Sequence, residues 1–194
     1  MKIKVVVAGL AAAMLVALVG CGSGATHDRL SSQSLQSRWW TWAAAEPEPT
    51  NPVADQDGSF CGRNQPRDVW FLAGTFGTQV KRTCSVPDGV PVAFPLLNTI
   101  AEPADCADFM STAKGSAVLD GKKVDSDTYQ AELIAVRGVT DNPVTGTTGR
   151  VFTTGCGIWV QLAPLKPGKH KLTIRGQSDD FSVGVDYALT VDAP

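Results

Sequence analysis

Beyond residue 60 the chain consists of short apolar stretches separated by turns rich in glycine and proline. The last stretch, 181–191, has the clearest pattern, because small or polar residues alternate there with Val183, Val185, Tyr187, Leu189 and Val191. Strict alternation is typical of a strand with one buried and one solvent-facing side. Similar patterns predict strands at 69–76, 79–86, 90–97, 116–119, 122–124, 131–136, 151–162 and 169–175. The sequence therefore predicts an all-β fold, an antiparallel β-sandwich of the immunoglobulin-like or jelly-roll kind with one or two short helices.

Turn residues indicate which strands pair. The turn at 77–78 separates 69–76 from 79–86 and predicts a hairpin between these two segments. Asp120 followed by Gly121 predicts a second hairpin with a type I′ turn. Pro91 and Pro95 place the predicted strand 90–97 at a sheet edge, since proline cannot donate a ladder hydrogen bond.

Helical periodicity is confined to two segments of the part that follows residue 30. The first, at about 32–44, carries large apolar residues on one face at spacings of four and three, namely Leu35, Trp39 and Trp42. We expect this helix to pack on the domain, and contact of its tryptophans with a nearby membrane is the alternative. The second helix is predicted at 102–114, with Pro103 in its first turn and Gly115 at its end.

The N-terminus has the layout of a secretory signal peptide. Lys2 and Lys4 form a positive head, and 5–19 is an apolar run interrupted only by Gly9. The run is too short for a comfortable membrane span, which needs about 20 apolar residues. We therefore expect an exported protein.

The residues that end this run, Leu18, Val19, Gly20 and Cys21, resemble the lipobox of bacterial lipoproteins. The resemblance implies cleavage before Cys21, diacylglycerol on its sulfur and, in many bacteria, a second acyl chain on the new amino group. Two or more acyl chains hold a protein firmly on a bilayer. The expected location is the extracytoplasmic face of the cell membrane, and an ordinary secreted protein is the alternative.

Composition divides the chain into three parts. Residues 1–20 form the lipoprotein signal peptide, and 21–36 are the lipidated cysteine and a flexible tether rich in glycine, serine, threonine and glutamine. Residues 37–194 form a single β-sandwich domain that includes the Trp-rich helix.

Four cysteines remain after Cys21, and an even set in an exported chain predicts two disulfides among Cys61, Cys84, Cys106 and Cys156. Three connectivities are possible. We favour Cys61 with Cys84, which would brace one hairpin, and Cys106 with Cys156, which would hold a long loop.

Between residues 42 and 95 the chain resembles an uncharacterised group of exported actinobacterial proteins, some described only as "signal protein" or lipoprotein. The resemblance rests on Asn51, Pro52, Val53, Asp55, Gly58, Cys61, Gln65, the run 69–77, Arg82, Cys84, Val86, Pro87, Gly89, Phe94 and Pro95. It implies an exported lipoprotein and no assigned activity.

Charge narrows the classes of partner. The chain has 17 basic and 19 acidic residues, and without Lys2 and Lys4 the balance is 15 to 19. Nucleic acid is excluded as a partner, because phosphate contacts need clustered cations and the basic residues are scattered along the sequence. A solvated rim is expected for Arg63, Arg67, Lys81 and Arg82, and a core position for Trp70 and Trp159.

Catalytic candidates are few. A Ser-His-Asp triad would depend on His170 alone, because the other histidine, His27, lies in the tether. A carboxylate pair for glycoside hydrolysis would come from Glu102, Asp105, Asp108, Glu132 and Asp186. The alternative is that these acids are ordinary surface charges, and acids near a helix start are favoured by its dipole.

Asp55, Asp57 and Gly58 resemble part of a calcium loop, with oxygen ligands at alternate positions before a glycine. The twelfth position of such a loop falls on Pro66, which cannot supply the required carboxylate. A turn held by aspartate side-chain hydrogen bonds is the preferred interpretation.

The sequence thus predicts a lipid-anchored, non-catalytic binding module that contacts a protein or glycan at the cell surface, without a cofactor. An extracytoplasmic hydrolase with a carboxylate pair and a calcium-stabilised structural domain are the alternatives.

Overall fold

The computed structural model describes residues 28–193, so the predicted signal peptide, His27 and Cys21 lie outside the described part. In chain order the elements are α1 (Ser32–Ala43), a 3₁₀ turn (Glu48–Thr50), β1 (Trp70–Phe71), β2 (Gln79–Val86), β3 (Val92–Ala101), α2 (Pro103–Thr112), β4 (Lys114–Leu119), β5 (Lys122–Val124), β6 (Asp127–Gly138), β7 (Gly149–Leu162), β8 (Gly168–Ser178) and β9 (Phe181–Val191). Neither of these helices is long and apolar enough to cross a membrane.

The strands form two sheets that pack face to face. Sheet A has the order β1-β3-β7-β6, and sheet B has the order β2-β9-β8-β4-β5. Their shared core includes Phe94 and Val160 from sheet A and Ile174, Val185 and Leu189 from sheet B, each at most 1% exposed. The predicted all-β sandwich is confirmed.

Helix α1 forms a third layer on the other side of sheet A. Leu35, Trp39 and Trp42 pack there with Phe71 and Trp159, and each of the five is at most 3% exposed. Edge-to-face contacts join Trp39 to Trp40, Trp42 and Trp159, with ring centroids 5.0 to 5.8 Å apart. The prediction that this helix packs on the domain is confirmed, and the alternative of a membrane-facing tryptophan cluster is wrong.

Helix α1 also covers the open edge of β6. Ser37 Oγ and Thr41 Oγ1 accept hydrogen bonds from the backbone N–H groups of Ala135 and Arg137, at 3.4 and 3.2 Å. Gln33, one turn earlier, donates to the Leu133 carbonyl at 2.7 Å. Four residues of a helix span about 6 Å along its axis, which is close to the length of two residues in a strand. Helix residues four apart, 33, 37 and 41, therefore lie beside strand residues two apart, 133, 135 and 137. An exposed strand edge is thereby protected from pairing with other chains.

The flexible tether predicted for 21–36 is wrong at its C-terminal end. Helix α1 begins at Ser32, and the hydroxyl of Ser31 caps it by accepting from the Ser34 N–H at 3.3 Å. Leu30 and the Gln161 side chain exchange two hydrogen bonds, at 2.9 and 3.1 Å. The helix predicted at about 32–44 is confirmed, and its first five residues, 32–36, overlap the end of the predicted tether.

The hairpin predicted between 69–76 and 79–86 is wrong. Only Trp70–Phe71 of the first segment is a strand, and it pairs in parallel with β3 in sheet A. Strand β2 lies in sheet B, where it pairs in parallel with β9. The sheets are therefore mixed rather than purely antiparallel, because the 72–78 segment crosses from one sheet to the other.

The edge position predicted for 90–97 is also wrong. Strand β3 lies between β1 and β7, and it pairs with β7 from Val92 to Ala101. The register shifts between Pro95 and Leu97, so the proline lies at a bulge, the other place in a sheet where a missing N–H is tolerated. The Asp120–Gly121 turn does join β4 to β5 as predicted, with positive φ at both residues.

Both disulfides have the favoured pairing. Cys61 bonds to Cys84 and Cys106 bonds to Cys156. The first ties the segment after α1 to sheet B, rather than bracing a hairpin. The second ties α2 to the middle of β7 in sheet A.

Arg82 is not part of a solvated rim. Its side chain is buried at 2% exposure and donates to the backbone carbonyls of Val53, Asp55, Ala73 and Gly74. It also bonds to the hydroxyl of Tyr187 at 3.1 Å. No side-chain carboxylate is among these partners, so carbonyl dipoles from two segments, 53–55 and 73–74, and the Tyr187 hydroxyl surround the guanidinium.

Candidate functional site

The outer face of sheet B gathers cations that are far apart in the sequence. Register places Lys81, Thr173, Val118 and Lys123 with Asp186 in one row across the sheet. The neighbouring row holds Gln79, Gly184, Arg175 and Ser116. We call this surface the cationic face, and its basic residues are Lys81, Lys114, Lys123, Lys169, Lys171 and Arg175.

Period-two alternation in β8 directs these side chains outward. Leu172 and Ile174 point into the core, at 1% and 0% exposure. Because successive strand residues point to opposite faces, Lys171, Thr173 and Arg175 point to solvent. Polar and charged residues therefore cover the outside of the sheet, and Val118, 37% exposed, is its large apolar residue.

The cationic face contains a shallow depression of about 340 Å³ lined by Gln79, Lys114, Gly115, Ser116, Arg175, Gly176, Gln177, Ser182 and Val183. A smaller depression beside it shares Gln79 and Arg175 and reaches Lys81 and Asp186. Gly184 leaves space for the Gln79 side chain on this surface, since a Cβ at position 184 would lie 2.7 Å from Cγ of Gln79. Such a broad, open surface suits an extended ligand better than an enclosed small molecule.

Most of the positive charge on this face has no acidic partner. Arg175 donates to Asp186 at 2.7 Å, and this is the face's one ion pair among the described residues. The lysines make no ion pair within that part of the chain. The face therefore carries a net positive charge on a domain whose overall balance is acidic.

At the rim of the face, Asp120 and His170 form a polar pair. Nδ1 of His170 lies 2.7 Å from the Asp120 carboxylate, and Nε2 lies 2.7 Å from the Lys166 carbonyl. The bond to Asp120, with a smaller effect of the carbonyl, raises the pKa of His170. The same bond lowers the pKa of Asp120. Both ring nitrogens are thus occupied by partners other than a serine hydroxyl, and the arrangement does not form a Ser-His-Asp triad.

The candidate carboxylates are distributed over α2, β6 and β9. Glu102, Asp105 and Asp108 lie at or in α2, with Glu102 as its N-terminal cap residue and Asp105 in its first turn. Glu132 lies on β6 and bonds to Ser32 of α1. Asp186 lies on the outer face of sheet B and pairs with Arg175. Glu132 and Asp186 therefore lie in different sheets, while the other three acids share α2 and its N-terminal cap.

Asp55 and Asp57 form a turn of the preferred kind. Asp55, 5% exposed, accepts from the backbone N–H groups of Asp57, Gly58 and Phe60 at 3.1, 3.0 and 2.8 Å. Asp57 accepts from the N–H and hydroxyl of Ser59, which lowers its pKa. Within residues 28–193 no group of three acidic, histidine or cysteine side chains is placed to hold a metal ion.

Several residues that carry the actinobacterial resemblance have structural partners. Asn51 donates to the carbonyls of Ala43 and Glu46 just after α1. Gln65 bonds to both backbone groups of Phe71. Together with Asp55 and Arg82, these side chains fix the path of the 43–74 segment.

The cationic face was not predicted from the sequence. The basic residues are scattered along the chain, but sheet B aligns strands β2, β4, β5 and β8 and brings the cations together. The available signal was the alternation of Lys169, Lys171 and Arg175 with apolar residues in one strand.

Comparison with known proteins adds no family to this picture. No protein-family model, no curated protein and no solved structure matches the chain.

Proposed function

We propose that this protein is a lipid-anchored, non-catalytic binding module of the bacterial cell envelope, and that it binds an anionic glycan on its cationic face. The observation that carries the proposal is the concentration of six basic side chains on one sheet face with a single paired carboxylate. A ligand with regularly spaced negative groups would match this surface in charge and shape.

The chemistry of the face favours an acidic polysaccharide over nucleic acid. Proteins that hold single-stranded nucleic acid combine cations with aromatic side chains on which bases stack. The cationic face has no aromatic residue among its outward positions, and Gln79, Ser116, Thr173 and Gln177 supply hydroxyl and amide groups instead. These groups suit sugar hydroxyls, and the lysines suit carboxylate or phosphate substituents.

The proposed export rests on two supports of different kinds. Disulfides such as Cys61–Cys84 and Cys106–Cys156 form and persist in oxidising compartments. The resemblance of Leu18–Cys21 to a lipobox implies the lipid anchor.

The anchor is tested by substituting its acceptor. In a bacterial host supplied with labelled palmitate, we expect the wild-type chain to incorporate label and Cys21→Ser to incorporate none. A serine hydroxyl cannot replace the thiol as acceptor in a lipobox, so no other change is needed to remove the lipid. Unlabelled wild-type chain, recovered from the culture medium, would show an ordinary secreted protein instead.

The ligand is tested with the double variant Lys81→Gln/Lys171→Gln. We expect it to bind polygalacturonate roughly tenfold more weakly than the wild type at low salt, with a reduced dependence on salt, because two cations of the face are lost. Isothermal titration over a salt series measures both quantities. Dextran, a neutral polysaccharide, is expected to bind neither protein.

The matched control is Arg63→Gln/Arg67→Gln, which removes the same charge from exposed positions outside the strands of sheet B. This variant is expected to retain wild-type affinity. Equal weakening by both double variants would show a general charge effect and would reject the cationic face as the binding site.

A further inference from the structure

The most exposed large apolar side chains of the described residues lie together on the antiparallel pair of strands β6 and β7, which we call the arm. Phe152 is 69% exposed and Leu133 is 63% exposed. Leu133 lies opposite Thr154, and Phe152 lies opposite Ala135 in the next row of the same antiparallel pair. Because residues two apart share a side of a strand, these four residues lie on one surface.

Two arginines continue the same surface. Arg137 lies directly opposite Arg150 in the row after Phe152, and both are exposed. Neither makes an ion pair with any residue from 28 to 193. We call the surface of Leu133, Ala135, Arg137, Arg150, Phe152 and Thr154 the arm face.

In the isolated domain, the arm face lowers the stability of the folded state. Like charges directly opposite each other in a strand pair are destabilising, and exposed phenylalanine and leucine side chains remain in contact with water. The opposite side of β6 is packed in the core, because Ile134 and Val136 are buried beneath α1 at 1% and 0% exposure. The domain itself therefore gives no reason for this combination of residues.

The charges decide what kind of partner fits. A symmetric contact between two copies of the arm face would place its unpaired arginines near one another, which opposes self-association. An anionic lipid bilayer fits both features, since aromatic and leucine side chains bury in the acyl boundary while guanidinium groups bind phosphates at headgroup level. The cationic face differs, because it is polar and lacks comparable apolar groups.

We propose that the arm face docks on a bilayer containing anionic lipids, with Phe152 and Leu133 in the acyl boundary and Arg137 and Arg150 at the lipid phosphates. This contact involves the folded domain and does not depend on the lipid on Cys21. The contact would fix the orientation of the domain on the membrane, which a lipid anchor alone does not determine.

The test uses Phe152→Trp in the full chain with vesicles of phosphatidylcholine, with or without phosphatidylglycerol. Four of the five native tryptophans, Trp39, Trp40, Trp42 and Trp159, are at most 8% exposed. The fifth, Trp70, is half-buried and is present in every variant, so the new surface tryptophan is measured as a difference from the same background. On anionic vesicles we expect its emission to shift to the blue and brominated acyl chains to quench it. On phosphatidylcholine alone we expect neither change.

The matched control is Phe76→Trp, because Phe76 is also exposed, at 47%, but lies outside the arm. Its emission is expected to be the same with both vesicles. Equal responses at positions 76 and 152, or equal responses of position 152 to both vesicle types, would overturn the proposal.

The arginines are tested by adding Arg137→Gln and Arg150→Gln to Phe152→Trp. Each removed cation is expected to raise the concentration of anionic vesicles needed for half the emission shift roughly fivefold. An unchanged midpoint would overturn the assigned role of the arginines. Palmitate labelling of Cys21 is unaffected by these variants, so the failure of the arm contact is distinguishable from the failure of the anchor.

Discussion

Replacing Arg82 with methionine is expected to lower the free energy of unfolding by about 3–5 kcal/mol, because several buried carbonyls lose a charged donor and a buried group left unsatisfied costs about 1–3 kcal/mol. The guanidinium is 2% exposed and bonds to the carbonyls of Val53, Asp55, Ala73 and Gly74. Methionine has a similar length but no donor, so these buried carbonyls would lose a partner they cannot replace with water. Urea unfolding followed by tryptophan fluorescence measures the change.

The control is Arg175→Met, which removes a cation from the outer side of the same sheet. The Arg175 and Asp186 side chains are 43% and 42% exposed, and exposed pairs contribute about 1 kcal/mol or less. The lysine variant Arg82→Lys separates charge from geometry, because lysine keeps the charge but lacks the planar fork. If Arg82→Met and Arg175→Met had equal unfolding midpoints, Arg82 would not be what holds the 53–55 and 73–74 segments on sheet B.

Removing the Cys106–Cys156 disulfide by a double alanine substitution is expected to destabilise the domain by about 4 kcal/mol, mainly by releasing a constraint on the unfolded chain. The bond spans 50 residues and joins α2 to the middle of β7. Both sulfurs are buried in the sandwich, with each cysteine at 0% exposure, so the lost packing adds to the effect. Thermal and urea unfolding of the oxidised proteins measure it.

The matched comparison is the double alanine variant of Cys61 and Cys84, whose loop spans 23 residues. Loop entropy alone makes this variant less destabilised, by about 0.7 kcal/mol. A reversed order, with the shorter loop the more important, would mean that native packing around Cys84 rather than loop length decides the loss.

The positions of most strands could be predicted from the sequence, but their partners could not. The alternation in 181–191 predicts β9 within its observed bounds, Phe181–Val191. The turn at 77–78 predicts that segments 69–76 and 79–86 pair, and neighbours in sequence usually do pair in space. In the structure the intervening residues cross between the sheets, and β2 finds its partner in β9 about 100 residues later.

The burial of single charged residues could not be predicted from the sequence either. Lys81 and Arg82 are neighbours in the sequence, yet one lies on the cationic face and the other is buried. Alternation along β2 assigns them to opposite sides, but only the packing of sheet B against the 53–74 segment makes one side an interior. The arm face has the same origin, since cross-strand register alone places Arg137 opposite Arg150.

The sequence alone determined the elements with a strong local cause: the two helices, the type I′ turn at Asp120–Gly121, the aspartate turn at Asp55 and the even set of cysteines for two disulfides. Each depends on residues a few positions apart, or on composition. The tertiary structure decided the parallel pairs, the burial of Arg82, the cationic face and the arm face. These depend on which distant strands align, and alignment is set by the packing of sheet B and α1 on the two sides of sheet A, a property of the assembled layers that no short segment contains.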